Sequence, residues 1–268
     1  MTIRLMGTGA ADGIPALFGK DRVSQYAREH GGREIRSRTG ALVDGTLKID
    51  LSPDTWSQCA AQGIDPSEWT ALVFTHSDDD HLSTSELQYA LYPFTEADHA
   101  HMPIYGNAAV LQAIHARFPH WPIETHETRA FESFEVHGHL ITPILATHGG
   151  GEECHNLLIE RDEKTLLYAT DTGEYAPQTF EFLSGKAVEL LIIECTDARA
   201  PSGYAGHLDL YSLELMLTRL RRDGALAADA RVLTTHHAAR GDATHGELLD
   251  LLEPLGAEPG YDGMILTI

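Results

Sequence analysis

Little in this chain supports a disulfide scaffold, a membrane span or a polyanion-binding surface. Only three of its 268 residues are cysteine, Cys59, Cys154 and Cys195. Widely spaced and odd in number, they make neither a disulfide framework nor a Cys-x-x-Cys zinc knuckle, and a reducing cytoplasm is the expected compartment. The longest apolar stretches, such as Leu190-Leu191-Ile192-Ile193, fall far short of the roughly 20 residues that cross a bilayer. Met1-Thr2-Ile3-Arg4-Leu5 runs straight into Gly7-Thr8-Gly9 with no leader pattern, so no membrane partner is expected. Cationic side chains are scarce: 19 Lys and Arg face 40 Asp and Glu, a formal net charge of −21. Nucleic-acid affinity depends mainly on Lys and Arg meeting phosphates, so the expected partner is a small-molecule substrate and not a polynucleotide. Bound divalent ions would offset only part of this excess, and the surface is mostly a solvating one. A homodimer is left open.

What is present is an interleaved pattern. With 43% apolar residues and only 12 prolines, the chain can bury one sizeable core, and residues 1–268 are expected to form a single domain. Apolar, β-branched runs predict strands at Thr2–Met6, Ala41–Val43, Leu47–Ile49, Ala71–Thr75, Leu140–Thr147, Leu157–Glu160, Thr165–Thr170, Glu189–Cys195, Arg231–Thr235 and Met264–Ile268. Helices are predicted after capping residues at Asp54–Gln62, Ser85–Tyr92, Ala108–Phe118, Leu210–Asp223 and His245–Leu252. This alternation implies a layered α/β architecture, and most strand runs are too evenly apolar for a sheet with one wet face. Lys20–Arg38, charged and glycine-containing, reads as a loop or insertion.

Sixteen histidines make any single one uninformative. Four apolar strands, however, each end in a threonine followed at once by a residue able to hold a metal: Thr75-His76, Thr147-His148, Thr170-Asp171 and Thr235-His236. Strand ends present rigidly supported side chains to a common rim, so four such ends predict a shared site. The densest signal is His76-Ser77-Asp78-Asp79-Asp80-His81. Positions 76, 78, 80 and 81 can turn inward and offer two imidazoles and two carboxylates to cations. A solvated loop capping the next helix would account for Asp79, but two histidines bracketing three aspartates after a buried strand bring no folding benefit. The remaining histidines, among them His99, His101, His115, His120, His126, His137, His139, His155 and His245, read as surface or packing residues. Gly7-Thr8-Gly9 lacks the third glycine in register for dinucleotide binding, and no Gly-x-Ser-x-Gly elbow is present.

On these residues the chain resembles the metallo-β-lactamase superfamily, whose pattern is His-x-His-x-Asp-His after a strand, then a later His, Asp and His. His76, Asp80, His81, His148, Asp171 and His236 match in type and order. Within it the chain is most similar to the branch containing the cyclic-ribose-phosphate phosphodiesterase of the carbon-phosphorus lyase pathway. That similarity rests on Gly7 to Pro15, Arg38 to Val43, Ile49 to Asp54, Gly206-His207-Leu208 and Tyr261-Asp262-Gly263-Met264. The resemblance implies a four-layer αββα sandwich, two mixed sheets flanked by helices, with two divalent metal ions (Zn, Mn or Fe), or one if a single site fills. By analogy His76, Asp78 and His148 hold one ion, Asp80, His81 and His236 the other, and Asp171 bridges them. His237 is the alternative to His236, since adjacent residues face opposite ways.

Two departures stand out. No cysteine lies near Phe18-Gly19-Lys20, so the branch's structural zinc is expected to be missing. Asp78 replaces a histidine, which favours oxygen-preferring Mn²⁺, Fe²⁺ or Mg²⁺ over zinc. The implied activity is hydrolysis of a small phosphodiester or cyclic phosphate through a metal-bridging hydroxide, with Asp80 in the catalytic centre. His207, before an amphipathic helix, is the candidate general acid, because an imidazole titrates near neutrality. Hydrolysis of a lactone, ester or thioester is the alternative, as is a non-catalytic or redox metal site created by Asp78.

Overall fold

The computed structural model describes residues 1–91, 93–95 and 102–268. Among the described residues, fourteen strands are distributed between two sheets of seven. The first contains β1 (Thr2–Gly7), β2 (Gly40–Val43), β3 (Leu47–Ile49), β4 (Ala71–Val73), β5 (Ile104–Gly106), β6 (Thr125–Glu127) and the last strand of the chain, Ile265–Thr267. The second contains β7 (Phe134–Val136), β8 (His139–Leu145), β9 (His155–Arg161), β10 (Lys164–Ala169), β11 (Val188–Glu194), β12 (Leu226–Thr235) and β13 (Glu258–Pro259), which makes Ile265–Thr267 β14.

Both sheets are mixed. β3 to β6 run parallel, as do β10 to β13, while the other neighbours are antiparallel. Parallel neighbours need crossovers, and helices supply them: α2 (Thr55–Gln62) between β3 and β4, α4 (Ala108–Arg117) between β5 and β6, and in the second sheet α5 (Pro177–Leu183), α6 (Leu210–Arg222) and α7 (His245–Leu252). Two further helices, α1 (Arg22–His30) and the single turn α3 (Thr84–Leu87), complete the set among the described residues.

Alternation along the strands sorts the core into three sheets of contact. Ile3, Leu5, Val43, Ile49 and Val73 meet Ile141, Ile159, Tyr168, Ile192 and Leu233 between the sheets. On the outer face of the first sheet, Leu42, Leu72 and Phe74 pack against Cys59, Leu87, Val110 and Ile114 of the helices. On the outer face of the second, Leu167, Leu191 and Ile193 pack against Phe180, Leu183, Leu213, Leu217 and Leu248. This is the αββα sandwich expected, and because both faces of each sheet are covered the strands read as continuous apolar runs. No helix among the described residues is long and apolar enough to cross a membrane.

The structure differs from the sequence reading in places. Lys20–Arg38, expected as a loop or insertion, contains α1: Asp21 caps it by accepting from Ser24 N, and Val23, Ser24 and Ala27 are its buried face. Its mostly charged sequence hides that narrow stripe. The helix expected at Ser85–Tyr92 is α3 followed by a 3-10 turn, Gln88–Ala90, and Tyr92 lies outside the described residues, as do His99 and His101.

Candidate metal centre

β3, β4, β8, β10, β11 and β12 all end on one rim, as the parallel and antiparallel pairings require. At those ends or just beyond them lie Asp50, His76, His148, Asp171, Glu194 and His236. Three of them, Asp50 (φ 55°), Asp171 (φ 47°) and His236 (φ 55°), take the left-handed backbone conformation one or two residues after their strand. That costs on the order of 1–3 kcal/mol at a non-glycine residue and turns the side chain across the rim where the strand direction would carry it past. The two sheets are stitched there as well, Ala10 N donating to His237 O and His237 N to Thr8 O.

The predicted donors converge. His76, His148 and Asp171 bring ligand atoms within 4.8 Å of one another, and so do Asp80, His81 and His236. Asp171 serves both groups. Its Oδ1 lies 3.7 Å from His148 Nε2, and its Oδ2 lies 2.8 Å from His81 Nε2 and 3.1 Å from His236 Nε2. Asp80 Oδ2 is 3.3 and 3.5 Å from the same two rings. Asp78 Oδ2 stands 3.5 Å from His76 Nε2 and 3.3 Å from His148 Nε2, at the open side of the first group. Asp79 is exposed and takes no part.

His237 goes elsewhere. Its two nitrogens are used by Cys195 O and Thr234 Oγ1 at 3.2 Å each, and burial drives its pKa well below the ordinary imidazole value. It is a neutral core histidine, and His236 is the residue delivered to the cluster.

Sequence reasoning missed the groups that aim these rings. Asp50, buried, accepts from His81 Nδ1 at 2.8 Å and from the amide and hydroxyl of Thr75; the same hydroxyl accepts from His76 Nδ1 at 2.9 Å. One carboxylate therefore fixes two imidazoles. Thr196 Oγ1 meets His236 Nδ1 at 2.9 Å, and Gly206 O accepts from His148 Nδ1 at 3.1 Å. With every Nδ1 engaged, every Nε2 points to the centre. Such partners fix the tautomer and raise ligand basicity, and losing one costs about 10–100-fold in metal affinity. Asp50→Asn is accordingly expected to weaken metal binding by about 10–100-fold, read by competition with a chromogenic chelator; unchanged affinity would show that Asp50 only packs.

The chemistry of the donor set fits a cation. The Nε2 atoms of His76, His81 and His236 are buried and make no hydrogen bond, despite carboxylate oxygens nearby. Buried polar atoms are nearly always satisfied, so three orphans converging on one space call for a shared partner. Among the described residues, Asp80 and Asp171 pair with histidines and with no Lys or Arg. Burial opposes the charge on both, but His81 and His236 overcome it and hold each carboxyl well below the usual carboxylate range. In return, although burial opposes the imidazolium form, Asp80 and Asp171 raise His81, and His148 is raised to about 9 by Asp78 and Asp171. A field that favours positive charge here favours a divalent cation more strongly, since the Coulomb energy scales with charge.

His207 also reaches the centre: with Asp171 and His236 it forms a third group within 4.8 Å. Its Nδ1 donates to Glu194 Oε1 at 2.8 Å, and Glu194, fully buried at the end of β11, also accepts from the amides of Thr172, Thr196 and Leu208. Tyr204 stands half-exposed at the mouth, its ring edge-on to His148 and His207 and its hydroxyl accepting from Gly149 N at 3.0 Å. Neither Glu194 nor Tyr204 was legible beforehand; the only cue to Glu194 was an acid ending an apolar strand.

Two half-sites of His and Asp on the rim of an αββα sandwich define the metallo-β-lactamase class. Residues 46–237 match the family described as the beta-lactamase superfamily domain, and the chain belongs to that family. No curated protein matches it by sequence. Among solved structures, a new diphosphatase from the PhnP family is 21% identical with a TM-score of 0.79, covering 100% of this chain and 97% of its own. Zn²⁺-bound PqqB from Methylobacterium extorquens is 16% identical, TM-score 0.76, covering 100% of both. The short form of human tRNase Z is 15% identical, TM-score 0.67, covering 100% of this chain and 99% of its own. These likenesses concern the fold. The family usually binds divalent metals, and the His and Asp groups described above are where such ions fit.

Proposed function

We propose that this chain is a metal-dependent hydrolase of a small phosphodiester or cyclic phosphate. The observation that carries the reading is the trio of buried, unpartnered Nε2 atoms of His76, His81 and His236 gathered with Asp171, whose Oδ2 lies 2.8 and 3.1 Å from the last two. His76, Asp78, His148 and Asp171 would hold one divalent cation, and Asp80, His81, His236 and Asp171 a second. When bound, the cations supply Lewis-acid polarisation of a phosphoryl oxygen and lower the pKa of water towards neutrality.

The chain's own residues do the rest. Asp171 and Asp80 set the charge and spacing of the centre. His207, held by Glu194 through Nδ1, keeps Nε2 free at the mouth to give a proton to a departing alkoxide. Tyr204 narrows the entrance. The phosphoester preference is supported by the diphosphatase and tRNase Z among the structural likenesses, and the formal charge of −21 argues for a small substrate in place of a polynucleotide.

The test is chelator-stripped protein reloaded with Mn²⁺ or Zn²⁺ and assayed on bis-p-nitrophenyl phosphate and on a lactone panel. Phosphodiester cleavage is expected, with Asp80→Ala lowering kcat/KM by about 10²-fold or more. Cleavage of lactones alone would move the reading to carboxylic esters, and an Asp80→Ala variant matching wild type would refute it.

A further inference from the structure

The two half-sites are built differently. In the Asp80 half-site all three private donors are sequestered: the side chains of Asp80, His81 and His236 are 10%, 0% and 2% exposed. Both of its imidazole Nε2 atoms are unpartnered, and their Nδ1 atoms rest on side chains, Asp50 and Thr196. Little has to move or be broken for a cation to enter.

In the other half-site, only His76 offers a buried, unpartnered Nε2. His148 Nε2 is already hydrogen-bonded to Asp78 Oδ2 at 3.3 Å, so a cation must displace that contact. The Nδ1 of His148 rests on a backbone carbonyl of the loop at Gly206, and the residue is followed by Gly149-Gly150-Gly151. Asp78 itself is 56% exposed, where a carboxylate keeps its hydration and its freedom until it is bound. Chemically it puts a hard anionic oxygen where the family pattern has an imidazole, and hard oxygen donors suit Mn²⁺ and Mg²⁺ better than zinc.

Resting on the metal-centre reading above, we infer that the half-sites fill in a fixed order: Asp80–His81–His236 takes the resident cation, and the Asp78 half-site takes an exchangeable hard cation. Asp78 thereby sets the affinity and metal choice of the second position alone.

The experiment is metal titration of the full, chelator-stripped chain. Bound Mn²⁺ is counted by loss of the free-ion electron paramagnetic resonance signal, and Zn²⁺ by chelator competition. Two Mn²⁺ are expected in two classes whose dissociation constants differ by at least about tenfold. Asp78→Ala and the isosteric Asp78→Asn should keep the tight class and weaken the other by at least about tenfold, with thermal melts checking that both variants fold. Asp78→His should shift the weak class towards zinc. Two equal classes, a lost tight class in the Asp78 variants, or no change in either class would overturn the inference. Ordered loading with no phosphodiester cleavage would sink the hydrolase reading and leave this inference standing; cleavage with equal classes would do the reverse.

Discussion

Asp171→Asn is expected to lower kcat/KM by about 10³-fold, some 4 kcal/mol of transition-state stabilisation, and to cut the bound metal below two equivalents. Asparagine keeps the shape and tolerates the left-handed conformation (φ 47°) that turns Asp171 across the rim, so the fold should persist. What is lost is the charge. Asp171 is the carboxylate whose two oxygens face different half-sites, Oδ1 towards His148 and Oδ2 towards His81 and His236. An amide puts an NH₂ group at one of those positions, facing a cation, and the remaining donors of that half-site cannot compensate. Elemental analysis beside steady-state rates at saturating Mn²⁺ decides the matter. A variant that keeps two equivalents and stays within tenfold of wild type would show that Asp171 is not shared.

The donors themselves were readable because each sits next to the strand that delivers it. Thr75-His76, Thr147-His148, Thr170-Asp171 and Thr235-His236 are local patterns; β8, β10 and β12 run the same way in one sheet, and β4 of the other sheet ends at the same rim. The supporting groups were not readable, because register creates them. Asp50 reaches His76 and His81 only because β3 and β4 pair in parallel with Ile49 opposite Val73, which lays Asp50 beside Thr75. Glu194 reaches His207 only because the loop after β11 folds back over it. The choice between His236 and His237 turned on one left-handed residue, invisible in a run of consecutive histidines.

The fold followed the same division. Long, evenly apolar strands such as β10 and β11 announced themselves, whereas β5, β6, β7 and β13, two or three residues each, carry too few side chains to set a period. Of the histidines expected at the surface or in packing, the buried ones pack: His139 meets Asp44, His155 meets Glu153, and His245 bonds Arg36, and none of them belongs to the donor groups.

His207→Ala should separate two classes of substrate. An alkyl leaving group departs as a strong base and needs a proton, so its hydrolysis should slow by about 10²–10⁴-fold, the usual contribution of a positioned acid. A p-nitrophenolate leaves without one, and its hydrolysis should slow by less than about tenfold. Glu194→Gln should reproduce the pattern more weakly, because its amide oxygen still accepts from His207 Nδ1 yet no longer stabilises an imidazolium, while its NH₂ loses the Thr196 and Leu208 amides, so a thermal melt checks the fold; added to His207→Ala it should cost little more, since both act through one ring. The competing arrangement is equally concrete. His207 lies within 4.8 Å of donor atoms of Asp171 and His236, close enough to ligate the Asp80 half-site itself. In that case His207→Ala would slow both leaving groups alike and release metal, and the general-acid assignment would fall.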